Sequence, residues 1–351
     1  MSATTHSLHA RPLLVANDLR KHFPVKGNLF AKKSVVQAVD DVSFEVSPGE
    51  TLGIVGESGC GKSTTARLLL HLIEPDAGEV IFDGKAVGKP DGIPTNALYR
   101  QMQMVFQDSY ASLNPRLSIA QSIAFGPTVQ GVPRQEALAR AISLLERVGL
   151  APSIYANRYP HELSGGQRQR VNISRALAFE PKLLVLDEAV SALDKSVEAQ
   201  VLNLLAEIKT AFDLTYIFIS HDLSVVRYVS DRVMVMYLGQ VVEIGPVEAI
   251  YDAPRHPYTQ ALLAAMPSMS PRRRTEKAPL TGDPPNPIDP PSGCRFRTRC
   301  PFAAPVCAEK APRLVAHPGH DRSHHAACHL YDPAAAHPAA EEVGNAEPTP
   351  A

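Results

Sequence analysis

The chain has 351 residues, 44% of them hydrophobic and 20% charged, with a formal net charge of -1 at pH 7. Such a composition suits a folded protein of one large or two smaller domains, and the balanced charge excludes a global basic field that would recruit nucleic acid. No uninterrupted apolar run is long enough to cross a bilayer, and Met1 to Ala10 carry polar residues and histidines where a secretory signal needs an apolar core, so the chain is expected to stay in the cytoplasm.

From Leu13 to about Ala265, short apolar runs alternate with helical patterns, which predicts one α/β unit. The spacing predicts a buried strand over Thr51–Gly56. It leads into Gly56, Glu57, Ser58, Gly59, Cys60, Gly61, Lys62 and Ser63, then Thr64, a full match to G-x-x-x-x-G-K-[ST]. A helix is expected next, over Gly61–Leu72. The glycines let backbone N–H groups turn inward around phosphate oxygens, and the helix N-terminus adds positive potential. Lys62 brings a point charge to the β- and γ-phosphates, and Ser63 a hydroxyl for Mg²⁺. Cys60 reads as a small residue tolerated in the loop, not as a nucleophile.

Leucines and alanines at helical spacing predict a helix over Gln135–Arg147, with Gly149 as its stop. Leu163, Ser164, Gly165, Gly166 and Gln167 then precede an amphipathic stretch, Val171–Phe179. A serine and two glycines at a helix start form a second phosphate-facing cradle. One chain does not need two cradles for one nucleotide, whereas two chains packed head to tail need both. Leu183–Leu186 reads as a strand that ends on Asp187 and Glu188. After a phosphate loop, such an aspartate holds Mg²⁺ and the neighbouring glutamate orients or deprotonates the attacking water. A helix over Val197–Thr210 and a strand over Tyr216–Ile219, ending near His221, complete the alternation.

Composition shifts after Met266. Pro267–Pro291 is Pro-rich and reads as an extended linker or wrap, Cys294–Leu330 is a small Cys/His-rich region, and the stretch from 331 to Ala351 has almost no bulky apolar residues and is expected to be disordered. The expected division is therefore 13–266, 267–330 and 331–351.

Taken in order, the phosphate loop, Gln107, the Leu163–Gln167 motif, the Asp187-Glu188 pair and His221 resemble the ABC transporter ATPase family over roughly Leu13–Met266. The resemblance implies an α/β, P-loop NTPase fold of the ABC nucleotide-binding type, with a RecA-like core, a helical subdomain and a small C-terminal Cys-rich extension. It implies that Gln107 senses Mg²⁺ and the membrane subunit, that Ser191–Asp194 form the D-loop, and that His221 contacts the γ-phosphate. Phe23 stands where the family places an aromatic under adenine. It also implies a dimer, with ATP and Mg²⁺ held by Lys62, Ser63, Gln107 and Asp187 and covered by the Ser164–Gln167 motif of a second subunit.

Gly56–Cys60, Phe106–Pro115, Asp187–Asp194, His256–Leu263 and Gly293–Pro301 resemble the oligopeptide and dipeptide importer ATPases in particular. That implies ATP hydrolysis coupled to di- or oligopeptide import at the cytoplasmic face of the inner membrane, with nickel or glutathione as alternative cargo. The implied partners are a second, different ATPase chain, two integral membrane permease subunits and an external substrate-binding protein, with no nucleic acid. The region between Gln107 and the Leu163–Gln167 motif, including Tyr110–Ile123, is expected to hold the groove for the permease. Lys195 departs from the apolar residue common in relatives. ABC ATPases of DNA repair or translation form a rival class, but they carry coiled-coil insertions or tandem units, and this chain has one set of motifs and no long heptad run. Intact Lys62, Asp187, Glu188 and His221 argue against a protein that binds ATP without turnover.

Cys294, Cys300, Cys307 and Cys328 do not have the usual zinc or ferredoxin spacing. They read either as packed thiols of a small wrap domain or as ligands. Some relatives of the importer subgroup hold a [4Fe–4S] cluster on four such cysteines.

Overall fold

The structure, a computed structural model, describes residues 11–25, 34–266, 285–316 and 323–340. In chain order the first half comprises β1 (Leu14–Val25), β2 (Ser34–Val46), β3 (Thr51–Val55), α1 (Lys62–Leu69), β4 (Ala77–Phe82), β5 (Lys85–Ala86), α2 (Thr95–Gln101), β6 (Met102–Val105), α3 (Ile119–Val129), α4 (Arg134–Arg147) and α5 (Pro152–Tyr155). There follow α6 (Gly165–Leu177), β7 (Leu183–Asp187), α7 (Lys195–Phe212), β8 (Thr215–Ile219), α8 (Leu223–Val229), β9 (Arg232–Tyr237), β10 (Gln240–Pro246), α9 (Val247–Asp252) and α10 (Pro257–Ala264). The C-terminal extension adds α11 (Pro305–Glu309), β11 (Val315–Ala316) and β12 (His325–Ala326).

The apolar runs without alternation, β3, β7 and β8, are buried at every position and lie side by side, parallel, in the middle of an eight-stranded sheet of order β11-β12-β10-β9-β3-β8-β7-β6. Strand geometry sends neighbouring side chains to opposite faces. Leu184, Leu186, Tyr216 and Phe218 therefore join one core with α3, α4, α6 and α7, while Leu183, Val185, Ile217 and Ile219 join a second core. That second core is closed by a four-stranded antiparallel sheet, β2-β1-β4-β5, which contributes Leu14, Leu19, Val42, Val46 and Phe82. On α7 the stripe Val201, Leu202, Leu205 and Ile208 is buried as its spacing predicts, each side chain contributing roughly 1.5–3 kcal/mol of transfer free energy.

The extension is stitched into this body. β12 pairs antiparallel with β10, Ala326 opposite Glu243 and His325 opposite Ile244. Glu243, fully buried, accepts from the backbone N–H groups of Arg255 and His256 and lies 2.7 Å from His324 Nε2. Residues 331–340, read from composition as the start of a disordered tail, instead carry a 3₁₀ turn at Pro333–Ala335 and bury His337, whose Nε2 lies 3.0 Å from the Phe302 carbonyl oxygen. Short polar side chains capping local backbone groups make that turn without a large apolar residue. The Pro267–Pro291 linker falls mostly outside the described residues, and so does the end of the chain, 341–351.

Candidate active site

The parallel strands β3, β7 and β8 end together, and the site stands at those ends, as open α/β sheets place their ligands. Gly56 to Lys62 turn there from β3 into α1. Gly61 has φ 110°, and a Cβ on it would stand 2.3 Å from the carbonyl oxygen of Ala38, so both backbone and space demand glycine. Lys62 is buried, its Nζ donating to the carbonyls of Gly56 at 2.7 Å and Glu57 at 3.1 Å. Beside the loop lies a cavity of about 480 Å³ lined by Ala38, Ser58, Gly59, Gly61, Lys62, Ser63, Thr64, Gln107, Glu188 and His221.

Of the acidic pair at the end of β7, Glu188 lines the cavity and Asp187 does not. Asp187 closes β7, and Ser63 Oγ donates to its Oδ1 at 3.0 Å. Burial pushes the Asp187 carboxyl above the usual carboxylate range and Glu188 adds to this, while the Ser63 hydrogen bond and the cations Arg67 and Lys62 oppose it. A hydroxyl and a carboxylate oxygen side by side are hard donors of the kind that Mg²⁺ takes. Glu188 turns the chain out of the strand with φ 49°, a left-handed conformation that costs a non-glycine residue energy and is met at functional sites. Its Oε2 accepts from Gln107 Nε2 at 2.9 Å and lies 3.3 Å from His221 Nδ1. Gln107, Glu188 and His221, from three separate segments, thus meet at one carboxylate.

The other expected site residues divide. Cys60 is buried, which raises its thiol pKa, and its Sγ faces Lys62 Nζ at 3.9 Å; that suits a packing residue more than a nucleophile. Glu57, counted within the cradle, does not line the cavity: its carboxylate points away from it, onto Arg299 at 2.8 and 3.2 Å. Phe23 also lies off the cavity, near the end of β1 and 39% exposed, with Lys21 Nζ 5.7 Å above its ring. Ser164, Gly165, Gly166 and Gln167 are absent from the cavity lining too. They form the N-terminus of α6, which begins six residues before the stretch read as amphipathic. Ser164 and Gln167 cap it reciprocally, and a Cβ on Gly166 would stand 2.4 Å from Val197 Cγ1 of α7. Farther along α6, Asn172 Nδ2 donates to the Ser109 carbonyl at 3.0 Å and Arg175 to that of Ser112, which fastens the segment after Gln107 to this helix.

A groove of about 320 Å³ lies behind that segment, lined by apolar side chains that include Leu72, Tyr99, Phe106, Phe125 and Val129. Phe125 and Val129 are 59% and 69% exposed. Of the region between Gln107 and the Leu163–Gln167 motif, expected to hold the permease groove, Phe125 and Val129 in the last turns of α3 line this one, and Leu70 and Leu72 beyond α1 and Tyr99 of α2 are brought to them by packing. Among the described residues no helix is long and apolar enough to cross a membrane.

In the extension, Cys294, Cys300, Cys307 and Cys328 border a single small cavity. All four are free thiols. Burial pushes Cys294 up to about 11 and raises Cys300 and Cys328 as well, with neighbouring thiols adding to each shift. Among the described residues no three His, Cys, Asp or Glu side chains converge in a geometry that holds a metal ion as they stand, so the cysteine site expected as one reading is not preformed.

Residues 39–191 match the family profile for ABC transporters, and residues 242–307 match that for the C-terminal region of oligopeptide/dipeptide transporters. The chain is 49% identical over 326 residues to the oligopeptide transport ATP-binding protein AppF of Bacillus subtilis, covering 91% of this chain and 97% of that protein. It is 50% identical over 309 residues to the dipeptide transport ATP-binding protein DppF of Haemophilus influenzae, covering 87% and 94%. Its fold is similar to CbiO1 of Clostridium perfringens, part of the transporter complex CbiONQ, with a TM-score of 0.59 and 28% identity over 69% of this chain and 91% of that one. The ATP-binding cassette MJ0796, in a dimeric post-hydrolysis state with ADP and phosphate, gives 0.56 and 25% over 67% and 98%. The chain belongs to the ATP-hydrolysing subunits of ABC transporters. Within them it falls in the group that carries the oligopeptide/dipeptide-type C-terminal region.

Proposed function

We propose that this chain hydrolyses ATP to drive di- or oligopeptide import, working at the cytoplasmic face of the membrane with a second ATPase subunit, two permease subunits and an external binding protein. The observation that carries the reading is the Glu188 carboxylate, held between Gln107 and His221 across a cavity from Lys62 and Ser63. The peptide cargo is supported by the match of residues 242–307 and by the names of the relatives.

In this reading ATP seats its β- and γ-phosphates on the N–H groups of Gly59 to Ser63, and Lys62 Nζ exchanges the Gly56 and Glu57 carbonyls for phosphate oxygens. Adenine extends toward the half-exposed ring of Phe23. Ser63, Asp187 and Gln107 would hold Mg²⁺, which when bound neutralises phosphate charge. A water beside Glu188 gives its proton to that carboxylate as its oxygen bonds the γ-phosphorus; the bond to the β–γ bridging oxygen breaks and ADP leaves with the electron pair. His221 is placed to touch the γ-phosphate. The Ser164–Gln167 cradle, off its own chain's cavity, serves the nucleotide of the neighbouring ATPase, so closure of the pair completes both sites. The exposed apolar groove at Phe125 and Val129 receives the permease. The four thiols around one small cavity would supply the soft ligand set of a [4Fe–4S] cluster; iron and sulfide analysis after anaerobic purification checks this.

The test is to purify the assembled complex from native membranes and reconstitute it in vesicles. ATP-dependent uptake of labelled di- or oligopeptide is expected. Uptake of nickel or glutathione in place of peptide would overturn the cargo, and recovery without integral membrane subunits would overturn transport.

A further inference from the structure

The extension does more than lie against the sheet: one loop of it, Cys294–Cys300, reaches the back of the nucleotide site with two arginines. Arg299, its side chain 5% exposed, forms a two-point ion pair with Glu57 at 2.8 and 3.2 Å. Glu57 is the second residue of the phosphate loop. Arg295, 8% exposed, pairs with Asp40 and donates to Gln37 Oε1 at 2.6 Å and to the Leu238 carbonyl. Those contacts fall on β2 and on the β9–β10 turn, the backbone that flanks the loop: Gly239 N–H donates to the Cys60 carbonyl at 2.8 Å, and Ala38 lines the cavity. Between the arginines, Phe296 packs against Tyr237 and Tyr258, ring centroids 5.3 and 5.5 Å away. The Tyr258 hydroxyl in turn accepts from the Glu57 N–H at 2.8 Å. Both the side chain and the backbone of Glu57 are therefore held from the rear, one by the extension directly and one through an aromatic stack with it.

We propose that Arg299 is a positioning residue of the nucleotide site, acting through Glu57 to fix the entry turn of the phosphate loop, so that the C-terminal extension sets ATP affinity. The inference rests on the reading that this loop binds ATP. Its physical basis is preorganisation. The N–H groups of the loop serve phosphate well only if their directions are set before the ligand arrives. A planar, two-point guanidinium–carboxylate pair, largely out of water, fixes direction where a single-point ammonium does not.

The experiment measures KM for ATP, kcat and thermal midpoint for the parent complex and for R299A, R299K and the double variant E57Q/R299M. The double variant removes both charges, so no unpaired buried ion is left to unfold the protein. R299A and the double variant are expected to raise KM by about fivefold or more with kcat within about twofold, and R299K to fall between them and the parent. A KM for R299A or the double variant equal to that of the parent, or a loss seen only in thermal midpoint and yield, overturns the proposal. If the parent itself shows no affinity for ATP, the underlying nucleotide-site reading fails instead.

Discussion

At the scale of single residues, the candidate site gathers around one carboxylate whose environment is set by residues far away in sequence. Glu188 has two partners, Gln107 and His221, and a strained backbone that aims it off the end of β7. Replacement by glutamine keeps the shape and the Gln107 contact but removes the proton acceptor. Glu188→Gln is expected to bind ATP as the parent does and to hydrolyse it about a hundredfold or more slowly, in line with the 10²–10⁴-fold typical of general-base catalysis. Nucleotide-binding titration beside phosphate release measures both halves; turnover at the parental rate would show that Glu188 is not the base.

At the scale of elements, helix starts carry much of the organisation. Ser164 caps α6, Asp194 caps α7, Asp222 caps α8 and His256 caps α10. Lys195 ties two of these together: its ammonium is 2.8 Å from Asp222 and 2.9 Å from Glu198, which joins α7 to the start of α8. His256 is the unusual cap. Its Nδ1 accepts from the Tyr258 N–H at 3.1 Å, a role that needs a neutral ring, and burial holds its pKa down at about 4 against the pull of Glu243. The folded pKa lies below the unfolded one, so the unfolded chain takes up the proton first as pH falls. His256 therefore costs no stability above about pH 6.5, and from there to about pH 4 stability falls by at most about 1.4 kcal/mol per pH unit on its account. Asparagine caps without titrating, so His256→Asn is expected to lose less stability than the parent over that window. Denaturant unfolding at pH 7, 6 and 5 makes the comparison; parallel pH profiles would refute the assignment.

At the scale of the whole molecule, the proposed assembly uses two surfaces: the α6 N-terminus with its glycines, and the groove at Phe125 and Val129. An aspartate in the groove would bury an unpaired charge on docking while altering a residue that is exposed in the free subunit. Val129→Asp is thus expected to weaken co-assembly with the permease subunits about tenfold or more, with ATP binding by the isolated chain unchanged. Pull-down from membranes alongside nucleotide titration reads both; undiminished assembly would remove the groove from the interface.

What the amino-acid sequence determined by itself was local. The loop from β3 into α1, the strand ending at Asp187 and Glu188 and the α7 stripe were legible because each is a contiguous run whose geometry depends on spacing along the chain. Tertiary structure alone decided which distant pieces meet. It turned Glu57 away from the cavity, since Arg299, 242 residues later, offers a buried two-point partner. It assembled the apolar groove from Phe125 and Val129 of α3, Tyr99 of α2 and Leu70 and Leu72 beyond α1, since exposure depends on packing. It also ordered residues 331–340, where a few polar caps and one buried histidine replace the apolar residues that composition looks for. Spacing sets the local geometry of a loop or helix start, whereas contacts made across hundreds of residues come into being only as the chain folds.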